Sequence, residues 1–368
     1  MSKPIIANVA ELAGVSQATV SRALRGATNV TEETRIKVQR AADQLNFTLS
    51  KSASALASGK TMHVILLVSG KLNEWFNSGV LQGVYEELAP VGYDVTPAFI
   101  TDRSELDRFF SQLPKSRNAD AIIISSFQLM PAMRDQLQAI DLPTVGVNVP
   151  AESGYFDASI SIDNSSAMTM AVRLLRSLGH TNIAFCSDYI PADMVYNTSQ
   201  RTQAFADAAQ ANATDGITFS LLTADAHDAP LSKSDLASQL TAKLLSLPER
   251  PTAVCVETDQ VAIALVKELR KQQLNVPGDI SVLGFDDAEI AQAADLSTIR
   301  QEPIELGRMA GRKVLQLLRN EPLEHPCPSA KRCKVNKALD KAFCLVAVFP
   351  SHVHILVRDC SYHIYKHA

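Results

Sequence analysis

The chain has 368 residues, 46% of them hydrophobic and 20% charged, with a formal net charge of −4. That length suits a small module plus a body of two lobes. No apolar run approaches the ~18–20 residues of a membrane span, and no basic, apolar signal segment opens the chain, so a cytoplasmic location is expected. Charge is segregated along the sequence: residues 1–60 are net +4, residues 61–325 net −13 and residues 326–368 net +5. The six cysteines form no regular framework, which suits a reducing compartment.

Ile6, Val9, Ala10 and Ala13 fall at helical spacing and predict a first short helix with one apolar face. Gly14 stands where that helix must end and the chain turn sharply, a place for a residue that tolerates positive φ. Ser16 reads as the N-cap of a second helix, with Val20 and Leu24 turned inward and Gly26 closing it. Gln17, Ala18, Ser21, Arg22 and Arg25 are left pointing outward or flanking that stripe. Thr31, Glu32 and Glu33 start a third helix, on which Val38, Ala41, Ala42 and Leu45 recur at core spacing. Three short helices with a glycine-bearing turn predict a helix-turn-helix.

In such a module the second helix lies in the major groove with its N-terminal residues at base edges. Arg22 has the fork for guanine O6 and N7, Gln17 the amide for adenine, and Ala18 the methyl for thymine. The alternative is a three-helix lobe that only packs on the body, with Arg22 a solvated charge. Charge weighs against it, because a basic module on an acidic chain suits phosphate contact. The stretch after Phe47, "TLSKSASALASGKT", reads as a linker of small residues, in which Leu56 is ordinarily a packing contact.

From Met62 apolar runs alternate with amphipathic stretches. Strands are predicted at 63–68, 93–99, 121–125, 143–148, 183–187, 217–222, 252–257 and 280–285. Helices are predicted near 76–89, 102–113, 131–140, 164–178, 199–213, 232–246, 259–273 and 303–318. Such alternation predicts parallel sheets covered on both faces, and eight units are too many for one compact open sheet. The expected fold is therefore a small all-α module followed by an α/β body of two doubly wound lobes. Ligands in such folds bind beyond the carboxyl ends of the strands, which a two-lobe body places in its cleft. No nucleophile elbow, Walker-type phosphate loop, zinc motif or paired acid and base stands out, so no catalytic residue, metal site or cofactor is assigned and an enzyme is not expected. His180, at a helix-to-strand turn, reads as a structural histidine.

After Glu324 the character changes: residues 325–368 hold four of the six cysteines and five of the eight histidines. One reading is a metal site using Cys327, Cys333, Cys360 and His363, or His352 with His354, although the spacings match no zinc module. A second is a divergent tail in which "CLVAVF" and "HILV" pair as strands. The third, which the abrupt compositional break favours, is a segment out of register with the ancestral reading frame.

"VAELAGVSQATVSRALRG" followed by "VTEETRIKVQRAADQLNF" resembles the DNA-binding domain of the LacI/GalR family of bacterial transcription regulators. "GVYEELAPVGYDV", "ISIDNSS", "LLRSLGHTNIAF", "VPGDISVLGFDD" and "STIRQEPIELGRMAG" resemble that family's landmarks in order, so the likeness covers residues 5–322. It implies a body with the periplasmic sugar-binding fold, two lobes joined by three crossovers. It implies that Ser16, Gln17, Ala18, Ser21 and Arg22 meet the operator, with Gln17, Ala18 and Arg22 choosing bases. Residues 48–61 correspond to a hinge helix whose Leu56 would wedge into the minor groove. Asn46 and Leu49 depart from the family's usual glycine and proline there.

For the cleft, the resemblance points to Trp75 and Phe76 stacking on a ligand face, with core packing as the alternative. Arg201 corresponds to an arginine that donates to ligand hydroxyls or carboxylates, against a solvated arginine at a helix start. Asp286 corresponds to a ligand-accepting carboxylate, against a turn-capping aspartate. Asn148 stands where aspartate is frequent and Thr258 where asparagine is usual, and Asn197 is a further lining residue. The family usually ends in a strand-forming segment that is not recognisable in this tail. The whole implies a transcription repressor: a homodimer on a near-palindromic DNA operator, switched by a sugar-like effector between the lobes. A solute-binding protein for a transporter would need export, and a sugar- or nucleoside-processing enzyme would need a carboxylate pair or metal in the cleft.

Overall fold

The structure is a computed structural model. It describes residues 4–24, 26, 29–47, 60–116, 118–140, 142–149, 156–189, 196–213, 216–226, 231–323, 353–358 and 361–366. The chain forms two compact units, residues 1–62 and 63–368.

The first unit holds α1 (Ile6–Ala13), α2 (Gln17–Leu24) and α3 (Glu32–Gln44). Gly14 ends α1 in the left-handed region at φ 68°. There the Val15 N–H returns to the Ala10 carbonyl at 3.1 Å and the Gly14 N–H to Glu11 at 3.2 Å, the closure that lets a helix stop in one residue. The Ser16 hydroxyl accepts from the Thr19 N–H at 3.2 Å, and the Thr31 hydroxyl accepts from the Thr34 N–H at 3.4 Å. Val9, Ala10, Val20, Ala23, Val38, Ala41 and Ala42 form the core, with Leu24 and Leu45 packed against it. The inward stripes are those the spacing predicts, with Ala23 added.

In the second unit β1 (His63–Ser69), β2 (Asp94–Ile100), β3 (Ala121–Ser125), β4 (Thr144–Val147) and β5 (Ala158–Ile160) form a sheet of order β2-β1-β3-β4-β5. The second sheet, of order β10-β9-β8-β6-β7, is built from β6 (Asn182–Ser187), β7 (Thr218–Thr223), β8 (Ala253–Val256), β9 (Ser281–Asp286) and β10 (Ser297–Arg300). Every pairing within these two sheets is parallel. The central strands β3, β4 and β8 are buried throughout, which is why they read as mostly apolar runs, with Thr144 and Ser125 at strand ends. Pro97 sits on the edge strand β2, where a missing N–H costs no ladder bond.

The helices are α4 (Trp75–Leu88), α5 (Arg103–Ser116), α6 (Pro131–Ala139), α7 (Asn164–Ser177), α8 (Thr198–Ala211), α9 (Lys233–Leu245), α10 (Asp259–Lys271), α11 (Glu289–Ala293) and α12 (Pro303–Leu318). The second lobe is covered on both faces. Phe185, Phe205 and Phe285 gather with residues of α7 and α8, while Val254, Leu265 and Leu269 gather with residues of α9 and α10. The Phe185 and Phe205 rings stack with centroids 5.2 Å apart.

The described residues include two crossovers between lobes. In the first, between β5 and α7, Asp163 caps α7 by accepting from the Ser166 N–H at 3.0 Å. In the second, residues 301–302 lead from β10 into α12, which returns to the first lobe and packs along α4. Gly79 and Gly83 of α4 face Gly307 and Gly311 of α12. A methyl on Gly83 would overlap the Ile304 carbonyl, and one on Gly311 would lie 2.7 Å from Glu87 Cβ. Backbones so close leave room for nothing larger than hydrogen. Arg308–Glu86 at 2.7 Å and Arg312–Glu87 at 2.8 Å flank the seam. The lobes are also pinned without covalent continuity: Phe127 and Tyr196 form an antiparallel bridge, and the Asn197 N–H donates to the Ser126 carbonyl at 3.0 Å.

In the tail, β11 (Val353–Arg358) pairs antiparallel with β12 (Ser361–Lys366), Leu356 opposite His363. The partner of "HILV" here is thus the terminal segment itself. "CLVAVF" and the cysteines at 327, 333 and 360 lie outside the described residues.

Candidate DNA-reading face and effector cleft

Helix α2 presents Ser16, Gln17, Ala18 and Arg22 as exposed residues, with Ser21 half-buried. The face exists because Val20 and Ala23 commit the opposite side to the three-helix core. Ser16 is doubly used, as its hydroxyl both caps α2 and lies 2.9 Å from the Thr19 hydroxyl. Arg22 folds back along the helix, its Nε donating to the Ala18 carbonyl at 3.1 Å, and its remaining guanidinium donors extend the same exposed face. Leu56 lies outside the described residues.

In the body, the polar residues singled out in the sequence cluster at the carboxyl ends of the strands. Arg201, on the first turn of α8, is 2% exposed. Its guanidinium lies 3.5 Å from the Asp286 carboxylate, donates to the Glu257 carbonyl, and sits 3.7 Å over the Phe285 ring. Burial lowers its affinity for a proton, against which Asp286, Glu257 and Asp259 hold it charged. Asp286, ending β9 at φ 132°, also accepts from Gln301 Nε2 at 2.5 Å, and the Gln301 N–H donates to its carbonyl at 3.1 Å. Burial pushes Asp286 upward, and Arg201 opposes the push. Arg201 is thus not a solvated arginine at a helix start, and the Asp286 carboxylate accepts from the Asp259 backbone as well as from Gln301.

Thr258 caps α10, accepting from the Val261 N–H at 3.4 Å, so its hydroxyl has a structural duty. Asn197 lies one turn before Arg201, and its Oδ1 accepts from Asn164 Nδ2 at 3.0 Å. Asn148, just after β4, is 3% exposed and takes positive φ. Trp75 and Phe76 open α4 as half-buried neighbours, rings 6.5 Å apart and tilted by 55°. These three residues belong to the first lobe, whereas Asn197, Arg201, Thr258 and Asp286 belong to the second.

Several site residues were not legible from the motifs. Asn77 is buried and ties the β1–α4 loop by donating to the carbonyls of Ser69 at 2.8 Å and Lys71 at 3.0 Å. Asp259 accepts from the Thr298 hydroxyl at 2.5 Å and the Ala288 N–H at 3.0 Å, joining α10 to β10 and the loop after β9. Burial and the nearby Asp286 push it upward. Glu257 is 6% exposed, and burial raises its carboxyl to about 7, opposed chiefly by a bond from the Asp188 backbone. Its charged neighbours are Asp188, Lys233 and Arg201. His180, by contrast, is structural as read: its ring bonds the Thr252 hydroxyl at 3.0 Å. Cys186 and Cys255 are buried, and burial raises the Cys255 thiol to about 12, far from reactive thiolate chemistry.

Glu257 gives a pH prediction. A carboxyl raised from ~4.5 unfolded to about 7 folded keeps its proton in the native state while the unfolded chain releases it. Stability therefore falls as pH rises from about 4.5 to about 7, by about 3 kcal/mol in this group's share. Glu257→Gln should flatten that decline in denaturant melts taken across this range. An unchanged slope would place the titration elsewhere.

The fold and these two faces define a class: a DNA-binding regulator that carries a binding-protein-like body. Residues 5–50 match the model of bacterial regulatory proteins of the lacI family, and residues 172–333 match a periplasmic binding protein-like domain. The chain is 30% identical over 359 residues to the HTH-type transcriptional repressor PurR of Vibrio vulnificus, covering 96% of this chain and 97% of that one. It is 26% identical over 322 residues to the ribose operon repressor of Lactococcus lactis, covering 87% and 92%. In fold it resembles the lac repressor dimer bound to operator and the anti-inducer ONPF, with a TM-score of 0.73, 24% identity and coverage of 88% and 94%. It also resembles a complex of the transcriptional regulator CelR with cellobiose, with a TM-score of 0.59, 23% identity and coverage of 99% and 98%. The chain belongs to the lacI family of bacterial regulatory proteins. It is a DNA-binding transcription regulator and not an enzyme. Among the described residues no helix is long and apolar enough to cross a membrane.

Proposed function

We propose that this regulator is a cytoplasmic repressor, acting as a homodimer on a near-palindromic operator and switched by a sugar-like metabolite. Residues 1–47 read DNA, 48–61 form a hinge, 62–325 bind effector and dimerise, and 326–368 are an atypical tail. Gln17, Ala18 and Arg22 choose bases, Ser16 and Ser21 position the helix, and Leu56 wedges into the minor groove at the operator centre. Trp75, Phe76, Asn148, Asn197, Arg201, Thr258 and Asp286 line the effector cleft.

The observation that carries the switch is the pair of hydrogen bonds that Gln301 donates to Asp286, one from its side chain and one from its backbone. Gln301 belongs to a crossover, so a ligand that engages Asp286 acts on the segment about which the lobes move. Differential affinity for the open and closed arrangements then shifts their populations and, through the dimer, DNA affinity. The names of the solved relatives agree with this reading: a repressor dimer on operator, and a regulator holding cellobiose.

The test begins by selecting a binding site from random duplexes, then measures affinity for it with and without metabolites. The expected result is a palindromic site whose affinity changes at least tenfold with one metabolite. A regulator whose DNA affinity no metabolite alters would sink the switch while leaving DNA binding intact. Leu56→Ala is expected to weaken operator binding about tenfold and to reduce DNA bending, from the few kcal/mol involved in an unstacked step. Unchanged affinity and bend would remove the wedge.

A further inference from the structure

We propose that the second lobe carries a further ligand site, a groove between α7 and α10 that takes a small amphiphile with one anionic head. It is independent of the cleft, because the two places lie at opposite ends of one sheet. Thr258 and Asp286 stand at the carboxyl ends of the strands, whereas Ser281 and Ser297, on the groove, open β9 and β10. The cavity measures about 480 Å³, within the ~300–1,000 Å³ of small-molecule sites. It exists because the edge strand β10 begins opposite Leu283, which leaves Ser281 and Val282 of β9 without a ladder partner on that side among the described residues. Its apolar wall is made by Leu174 and Leu178 at the end of α7, Ile263 and Val266 of α10, and Val276 and Val282. All but Val282 are only half-buried, so a hydrocarbon laid against them removes apolar surface from water.

The charge on the groove gives the other half of the ligand. Ile263, Val266, Lys267 and Arg270 follow at i, i+3, i+4 and i+7 and share one face of α10. Along that face the chemistry changes once, from apolar to cationic at the outer end of the helix. The Lys267 and Arg270 side chains are exposed and hold no ion pair or hydrogen bond among the described residues, while the neighbouring Lys271 is matched to Glu268 at 2.7 Å. The one carboxylate among the described lining residues, Asp295, pairs with neither. The terminal strand β11 lies beside β10, but β11 and β12 contain Arg358 and Lys366 and no carboxylate, the wrong sign to neutralise α10. His180 also lines the groove and adds no charge, since its Nδ1 bonds the Thr252 hydroxyl at 3.0 Å and burial lowers its affinity for a proton. The ligand that fits lays an alkyl or aromatic body along α7 and α10 and presents a carboxylate or phosphate to Lys267 and Arg270. Residues 294–297 border the groove and run into β10 and the Gln301 crossover, so the site adjoins the segment about which the lobes move.

The test is thermal unfolding and calorimetry of the full chain with hexanoate, octanoate, decanoate and octyl phosphate. The controls are octanol, octylammonium, acetate and inorganic phosphate, all below micelle-forming concentrations. Octanoate or octyl phosphate is expected to raise the Tm, and the better head identifies the natural source. Affinity should rise about fourfold with each methylene buried. Octanol and octylammonium should bind at least tenfold more weakly, and the bare head groups more weakly still. Hydrogen exchange in the bound state should slow at residues 263–270, 281–283 and 294–297. Lys267→Glu combined with Arg270→Glu, at exposed positions, is expected to weaken octanoate at least tenfold and to favour octylammonium. Val266→Trp, which fills the groove, should abolish binding of both. Octanol binding as tightly as octanoate overturns the proposal, as does protection at 197–201 and 286–287 in place of the groove. Binding of no amphiphile overturns it too, and groove amides already slow to exchange in the free chain would then assign the groove to the terminal hairpin.

Discussion

Arg22→Ala is expected to weaken binding to the selected operator about 10- to 100-fold, in line with ~1–3 kcal/mol for a bidentate contact to guanine. The fold should not suffer, because Arg22 is exposed and, among the described residues, its side-chain bond runs to the Ala18 carbonyl one turn back. The informative readout is where the loss falls. A base-reading arginine relaxes preference at one position of each half-site and leaves the others intact. A phosphate-neutralising arginine weakens every sequence alike and reduces the salt dependence by about one ion. Site selection repeated with the variant, beside a salt titration, separates the two. A uniform loss with unchanged base preferences would remove Arg22 from sequence reading.

Gly83→Ala is expected to destabilise the body by about 3 kcal/mol or more, in the range of severe overpacking. The added methyl has no rotamer to escape through, since the atom it meets is the backbone carbonyl of Ile304. Relief requires α12 to move off α4, which breaks the Arg308–Glu86 and Arg312–Glu87 pairs on the way. Gln82→Ala, at an exposed position next along the same helix, should stay within about 0.5 kcal/mol of the parent. Denaturant melts of the two variants make the comparison. Equal midpoints would mean that the helices are not in the close contact described.

The architecture was legible where burial leaves a one-dimensional trace. Strands such as Ala121–Ser125 and Ala253–Val256 are buried along their whole length, and but for Ser125 they are apolar, because both faces are covered. Ala158–Ile160 and Ser297–Arg300 were missed, being three- and four-residue strands with serine at alternate or terminal positions. The helix-turn-helix was legible down to its cap, since Ser16, Gly14 and Val20 each have a local reason to be where they are. Arg201 and Asp286 were found through motif likeness, but their mutual contact was not, because a pairing across 85 positions leaves no periodic signal. Glu257 and Asp259 flank the singled-out Thr258 and carry more of the site's electrostatics than it does. An acid in a turn looks solvated in sequence, and only the fold shows it buried.

The glycine seam also sets the order in which the body can be completed during synthesis. The second lobe, from Asn164 to Arg300, is continuous in sequence and holds all of its strands once Arg300 has left the ribosome. The first lobe has every strand far earlier, yet the helix that covers Gly79 and Gly83 arrives last, and Arg308 pairs with Glu86 across 222 positions. During that interval the nascent first lobe exposes a bare glycine groove, and closing so long a loop is what its final assembly waits for. A chain terminated before Pro303 should therefore yield a structured second lobe tethered to a first lobe that holdase chaperones and proteases recognise as unfinished.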